Sequence, residues 1–145
     1  MKSKRSRLIK QCDTLLAKIL KIRRGFQCEY TPGHKIKKMI KLRGLHAHHI
    51  FKKGHYINVR WDEDNILILC YHCHRFIAHA SDVETLQGFE RWVKQHLGGR
   101  YTKLKQRAVK IRPVKTHMLE ALKKELELEL EEELEKQIVI GETGI

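Results

Sequence analysis

Residues 45–79 read LHAHHIFKKGHYINVRWDEDNILILCYHCHRFIAH and hold seven of the chain's ten histidines. The same stretch carries Cys70 and Cys73, separated by two residues, and places Asn65 about midway between its two groups of histidines. Neutral imidazole accepts protons near pH 7 and is a good ligand for borderline divalent metals. This density of histidine therefore indicates a chemical centre rather than a packing surface.

Length and charge set the class of protein. The chain has 145 residues, of which 41% are hydrophobic, so it can form one compact domain with an appendage. Its formal net charge is +13. Residues 1–118 hold 27 Lys and Arg against 8 Asp and Glu, whereas residues 119–145 hold 3 against 9. A basic body suits nucleic acid as a partner, although charge alone fits ribosomal or membrane-surface binding equally well.

The sequence also bears on location and redox state. Its apolar runs are far shorter than a membrane-spanning helix, so no membrane insertion is expected. The basic N-terminus is followed by polar residues rather than by an apolar signal segment, which predicts a cytoplasmic protein. In that reducing compartment the four cysteines should not form a disulfide framework. The spacing of Cys70 and Cys73 is instead typical of metal ligands.

Periodicity and charge divide the chain into four segments. The predicted segments are a basic arm and amphipathic helix (1–24), a core (25–99), a basic, Pro-interrupted linker or nucleic-acid arm (100–115) and an acidic, Leu-rich helix (116–145). Cys12 lies on the apolar stripe of the first helix and is expected to be buried there. The N-terminal helix is also expected to flank the core.

The C-terminal segment leaves alternatives open. Its string ELELELEEELE alternates with period two, as a strand would, but the helix propensity of Glu, Leu and Lys favours a helix. Such a helix cannot bury its leucines alone. It either packs back on the body, where its acidic side meets basic residues, or forms a homodimer with a second copy. Ordinary packing is the favoured alternative.

The core is predicted to have an α+β fold. Short apolar runs indicate two strands with a loop between them, and a helix carrying His74 follows the second strand. A longer amphipathic helix comes next, with Ser81 or Asp82 as its cap and a glycine pair at its end. The predicted bounds are 45–50 and 66–69 for the strands, 71–79 for the first helix and 82–97 for the second.

Several polar residues of this core suit the hydrolysis of a phosphodiester, which requires a base and positive charge at the phosphate. His48 and His49 are consecutive on a strand and so point to opposite faces; one can reach a metal while the other faces a water molecule. The Asn65 amide can bond the backbone across the loop and fix the strand. The loop cations expected to contact a nucleic-acid backbone are Lys52, Lys53 and Arg60.

A second group of residues indicates structural zinc. Cys28 precedes a tight turn and can join Cys70 and Cys73 as metal ligands. Zinc knuckles usually carry another cysteine where this chain has Thr31, which leaves His34 as the candidate for the fourth ligand. Such a site would hold two loops together and take no part in chemistry.

The tandem histidines, the Asp-Asn pair before a short apolar strand and the Cys-x2-Cys-His run together resemble the HNH (ββα-metal) nuclease superfamily. Phage recombination nucleases of the NinG (Rap) type are the most similar group, over roughly residues 8–105. The resemblance implies a small ββα-metal core flanked by helices. It also implies an endonuclease that acts on DNA in recombination or processing, in the bacterial host cytoplasm if the protein is phage-encoded.

The resemblance assigns roles residue by residue. It makes His49 the general base, Asn65 the loop-positioning residue and His74 a ligand of a catalytic Mg²⁺ or Mn²⁺. His48 stands where the superfamily has another ligand. NinG-type sequences have an acidic residue where this chain has His46, so His46 or His48 is the expected replacement for that ligand.

Two alternatives remain at this point. Taken one by one, His46, His55, His72 and His79 are interpreted as surface or loop residues. The whole protein can also be a non-catalytic, zinc-containing nucleic-acid-binding protein with an HNH-like fold, and RNA is not excluded as its partner. A structural role through the acidic helix is a third interpretation.

Overall fold

A computed structural model describes residues 1–33 and 44–142 of the chain. The chain divides into two compact units, one formed by residues 1–25 together with the chain from Pro113 on, and the other by Phe26–Arg112. None of the helices in the described ranges is long and apolar enough to span a membrane.

The unit formed by the two ends of the chain consists of helices α1 (Lys4–Arg23) and α4 (Thr116–Glu142). Helix α1 begins at the Ser3 cap, whose hydroxyl accepts a hydrogen bond from Ser6 N, and Gly25 follows its end with φ +74°. Its apolar face is buried, and Cys12 is fully buried there as predicted. The buried residues of α1 are Leu8, Cys12, Leu16, Ile19 and Leu20.

Helix α4 packs back on its own chain. Lys4 pairs with Glu120 at 2.5 Å near the start of both helices, and Arg23 pairs with Glu133 at 3.1 Å near the end of α1, so the two helices run parallel. Leu119 and Leu126 are buried, whereas Leu134 stays 48% exposed. The helical interpretation of this segment is thus confirmed, and its acidic side meets basic residues as expected. Homodimerisation through α4 stays a prediction.

The unit formed by residues 26–112 is built around an antiparallel pair of strands, β1 (His46–His49) and β2 (Ile66–Leu69). His48 lies opposite Leu67 in this pair. All four residues of β2 are buried, which explains its unbroken apolar sequence. A π-helix (Cys73–Ala78) begins four residues after the end of β2. The predicted α+β fold is therefore confirmed for the described residues.

Helix α2 (Val83–Leu97) covers this motif. Asp82 caps it by accepting a hydrogen bond from Thr85 N at 2.8 Å, and Gly98 ends it with φ +56°. Phe89 and Val93 are buried on the inner face of α2, at the helical spacing that the sequence predicted.

The basic linker predicted for residues 100–115 is wrong, because helix α3 (Gly99–Val109) occupies most of it. Leu104 and Ala108, one turn apart, are both buried. Arg107 pairs with Asp62 at 2.7 Å and with Asp64 at 3.3 Å. Acidic groups of the turn before β2 thus pair with Arg107, which was predicted to belong to a linker or a nucleic-acid arm.

The predicted boundary of the core at residue 99 moves accordingly to Arg112. The position expected for the N-terminal helix is also corrected: α1 belongs to the unit that contains α4, not to the unit that contains the sheet. Its apolar stripe is matched by the leucines of α4, whose pattern has the same helical period.

Candidate metal centre and active site

Three histidines converge at one end of the sheet. One ring nitrogen of each of His48, His74 and His79 lies within 4.8 Å of the others. The ring centroids are 5.5 Å apart for His48 and His74, 5.1 Å for His48 and His79, and 4.9 Å for His74 and His79. His48 is buried and His79 is exposed, so the cluster has an inner and an outer side. Three imidazoles in this arrangement can hold a metal ion.

The geometry of the helix brings His79 into the cluster. His74 and His79 are five residues apart, whereas the neighbours on one face of an α-helix are three or four apart. The segment Cys73–Ala78 is a π-helix, in which hydrogen bonds join residues i and i+5, and His79 is its C-terminal cap. This wider turn places both imidazoles on the side that faces β1.

His79 is the residue that the sequence analysis missed, because it was interpreted as a surface or loop side chain. The spacing of five was the available signal, but it has this meaning only in a π-helix. His46, predicted as a ligand, stacks on His74 with ring centroids 5.1 Å apart. It is not one of the three residues whose ligand atoms lie together.

Burial keeps the inner imidazole neutral. The pKa of His48 is lowered to about 3, first by desolvation and then by the neighbouring His79, His74 and His49. The pKa of His74 is also lowered, by desolvation and then by His79 and His46. A neutral imidazole has a lone pair available for a metal, so both shifts favour the form that ligates.

We expect the metal-free protein to lose stability as the pH falls from about 6.5 towards 3. In the unfolded chain His48 is protonated around its ordinary pKa of 6.5, whereas in the folded chain its pKa is about 3. Between these values the unfolded state binds more protons, so the free energy of unfolding falls with falling pH. Urea unfolding of wild type and of His48→Gln at several pH values checks this. An identical pH dependence in both proteins would contradict it.

His49 points away from the cluster residue beside it, as neighbouring strand positions must. Its Nε2 lies 2.9 Å from the carbonyl oxygen of Arg60. Because a carbonyl can only accept, Nε2 carries the proton, and the basic lone pair of the neutral ring is on Nδ1. This contact fixes both the orientation and the tautomer of the His49 imidazole.

Asn65 ties the long loop between the strands to β2. The fully buried side chain accepts a hydrogen bond from Phe51 N at 2.7 Å through Oδ1. Its Nδ2 donates to Phe51 O at 3.1 Å and to Val59 O at 3.0 Å. The backbone oxygen of Asn65 also accepts from Ile50 N at 2.8 Å. These are bonds across the loop of the kind that the sequence predicted, whereas the role of Asn65 in catalysis stays a prediction.

A cleft of about 560 Å³ is bordered both by histidines of the cluster and by His49. His48, His49 and His79 line it together with Lys52 of the loop. Lys52 and Lys53, which the sequence predicted as nucleic-acid contacts, are exposed. Arg60 contributes its carbonyl to His49, and its guanidinium lies 5.6 Å from the centre of the Trp61 ring. Lys52 is thus the predicted contact residue that borders the histidines of this cleft.

The predicted cysteine ligands also come together. The Sγ atoms of Cys28, Cys70 and Cys73 lie within 4.8 Å of one another, and Cys73 N donates to the Cys70 sulfur at 3.4 Å. His34, the predicted fourth ligand, lies outside the described residues. Desolvation is the main cause that raises the pKa of the Cys28 and Cys73 thiols. Three thiols this close become thiolates together only with a cation that neutralises them, so the cluster can hold a metal ion.

Comparisons of the chain with protein-family models, with curated proteins and with solved structures found no match. The chemistry of the two clusters is therefore interpreted from their geometry. The resemblance to HNH nucleases stays an expectation drawn from the spacing of His48, His49, Asn65 and the Cys-x2-Cys-His run.

Proposed function

We propose that the protein is a metal-dependent endonuclease of the HNH type that hydrolyses phosphodiester bonds in DNA. The observation that carries the proposal is that a cluster able to hold a metal ion and an oriented histidine border the same cleft. Two members of the cluster of three imidazoles line the same cleft as His49. His49 occupies the strand position next to His48, and its bond to the Arg60 carbonyl holds its ring in a different direction from the cluster. A metal site and an oriented base are the two parts that this hydrolysis needs.

The donor set bears on which metal would be held by His48, His74 and His79. Imidazole nitrogen suits zinc and its transition-metal neighbours, whereas Mg²⁺ prefers oxygen ligands. The cluster therefore favours a transition-metal ion such as Zn²⁺ or Ni²⁺ over Mg²⁺. When bound, such an ion would stabilise negative charge on the phosphate and on the leaving oxygen. The cysteine cluster, rich in soft sulfur, fits the structural Zn²⁺ proposed from the sequence.

His49 would accept the proton of the attacking water. Its Nε2–H donates to the Arg60 carbonyl, so Nδ1 is the nitrogen that takes the proton. The imidazolium that forms would keep the same carbonyl partner, now with a stronger hydrogen bond. Asn65 supports this arrangement indirectly, because it fixes both ends of the loop segment that includes Phe51 and Val59.

Charge supports a polyanionic substrate. Residues 26–112 contain 17 Lys and Arg against 7 Asp and Glu. Lys52 and Lys94 both line the cleft that contains His49. Contacts of this kind bind phosphates regardless of base sequence and weaken as salt concentration rises.

A cleavage assay tests the proposal. Wild-type protein is incubated with supercoiled, linear and four-way-junction DNA, with each of Mn²⁺, Ni²⁺, Zn²⁺ and Mg²⁺ and with EDTA. We expect cutting that depends on an added transition metal and is abolished by EDTA. Binding to DNA without cutting under every condition would reject the nuclease and favour the non-catalytic, zinc-containing nucleic-acid-binding protein.

The metal concentration for half-maximal cleavage is expected to be at least about tenfold higher for His79→Ala than for wild type, because the substitution removes one of three ligands. His74→Ala should behave in the same way. His46→Ala should change this concentration much less, since His46 contacts His74 without joining the cluster. Titration of the cleavage rate with Ni²⁺ gives these values. A large effect of His46→Ala with none of His79→Ala would restore the ligand set predicted from the sequence.

Exposed His55 offers the matched control, because it is a loop histidine that lines neither the cluster nor the cleft. His55→Ala should leave the metal requirement unchanged. An equal rise in the metal requirement of His55→Ala would show that the effect of His79→Ala does not come from its place in the cluster.

A further inference from the structure

A second cleft, of about 750 Å³, also borders the histidine cluster. It is lined by histidines (His46, His74 and His79) and by two aromatic residues (Tyr71 and Phe76). His79 also lines the cleft that contains His49, so the two clefts meet at this imidazole. A strand that continues from one cleft into the other would pass the cluster.

Aromatic side chains are unusually exposed at this second cleft. Tyr71 is 52% exposed and Phe76 is 53% exposed. Within the described ranges, only Phe26 is another aromatic residue among the exposed large hydrophobic side chains. The guanidinium of Arg75 lies 5.8 Å from the centre of the Phe76 ring, and the Tyr71 and Phe76 rings meet edge to face at 6.4 Å. Large aromatic rings left in solvent beside a cation are a common feature of binding surfaces.

We infer that Tyr71, Arg75 and Phe76 form a stacking platform for unpaired bases of a nucleic-acid strand beside the histidine cluster. The inference rests on the proposed function, because it names the substrate class of that same site. Exposed aromatic rings and arginine planes bind the faces of bases, and every base has such a face. In a duplex these faces are covered by neighbouring base pairs. The platform therefore selects single strands, flaps or junctions over continuous duplex.

The charges at the cleft fit this occupant. Arg75 provides a cation for the phosphates, and the strand would reach Lys52 and Lys94 beyond His79. Asp82 is the carboxylate among the residues that line the second cleft, and it already accepts a hydrogen bond from Thr85 N at 2.8 Å. Its remaining acceptor capacity suits the amino groups of bases rather than phosphates.

Binding measured without added divalent metal separates this inference from the nuclease proposal. Fluorescent single-stranded DNA, single-stranded RNA of the same sequence and duplex DNA are titrated with wild type and with Phe76→Ala. We expect Phe76→Ala to weaken single-strand binding about tenfold, the effect of losing one stacked base, and to leave duplex binding unchanged. The RNA strand should show the same dependence on Phe76.

Two further variants control the result. Phe76→Leu keeps apolar bulk but lacks a π face, so it should lose affinity much as Phe76→Ala does. Phe26→Ala removes a phenylalanine of similar exposure that lines neither cleft, and it should bind like wild type.

Wild-type affinity of Phe76→Leu, or an equal loss of duplex binding in Phe76→Ala, would overturn the platform. A single strand of either kind whose binding is insensitive to Phe76→Ala would do the same. These outcomes stand whether or not the protein cuts DNA. Conversely, absence of metal-dependent cleavage would reject the nuclease while leaving the affinity difference to decide the platform.

Discussion

His49→Ala is expected to lower the cleavage rate by about 10²–10⁴-fold, the usual effect of losing a general base. The His49 ring is held by the Arg60 carbonyl with Nδ1 as its proton-accepting nitrogen, and alanine cannot replace that function. DNA affinity should stay close to that of wild type, because lysines and arginines make the phosphate contacts. Rates under single-turnover conditions and binding by fluorescence anisotropy measure the two effects separately.

The histidine neighbours provide the comparison for this result. His55→Ala should retain the wild-type rate, since this side chain is exposed in the loop and lines neither cleft. His79→Ala should recover activity at high metal concentration, whereas His49→Ala should not, because added metal does not replace a base. Undiminished cleavage by His49→Ala would reject His49 as the general base.

Asn65→Ala is expected to lower the free energy of unfolding by roughly 3–5 kcal/mol. The substitution removes three side-chain hydrogen bonds and leaves Phe51 N, Phe51 O and Val59 O without that partner in buried or partly buried positions. The loop would also lose the tie that fixes the strand of His49, so the cleavage rate should fall as well. Urea unfolding followed by circular dichroism measures the stability.

Asn58→Ala is the matched control, because Asn58 also bonds backbone carbonyls but does so at the surface. Its Nδ2 donates to the carbonyls of Arg107 and Lys110. Water can replace those bonds, so a loss of about 1 kcal/mol or less is expected. If Asn65→Ala cost no more than Asn58→Ala, the loop would be held by other contacts and the positioning role of Asn65 would be wrong.

The local elements followed from short-range patterns. Strand β2 was predicted with its observed bounds. A run of four apolar residues between an Asp-Asn turn and a cysteine is too short for a helix and has the length of a buried strand. Helix α2 was predicted from a cap at Ser81 or Asp82, its apolar spacing and the glycine pair, and the structure has Asp82 as the cap. Helix α3 was not, because its apolar positions are few and its arginines gain partners only when the acidic turn folds beside them.

The candidate site divides in the same way. The opposite directions of His48 and His49 follow from the alternation of any strand, so the sequence by itself determined that these side chains have different surroundings. It also determined that Cys70 and Cys73 lie close together, since two residues separate them. Short separation along the chain limits the distance between side chains before any tertiary packing is known.

Only the tertiary structure decided which histidine completes the cluster. His46 and His79 were both near enough along the chain, and helical spacing gave no reason to choose His79. The π-helix turns His79 towards β1. Burial of His48, together with the neighbouring histidines, lowers the pKa of the His48 imidazole. The position of Cys28 beside Cys70 and Cys73 was likewise decided by packing. Helix geometry, distant contacts and desolvation depend on the folded surroundings, which no local pattern contains.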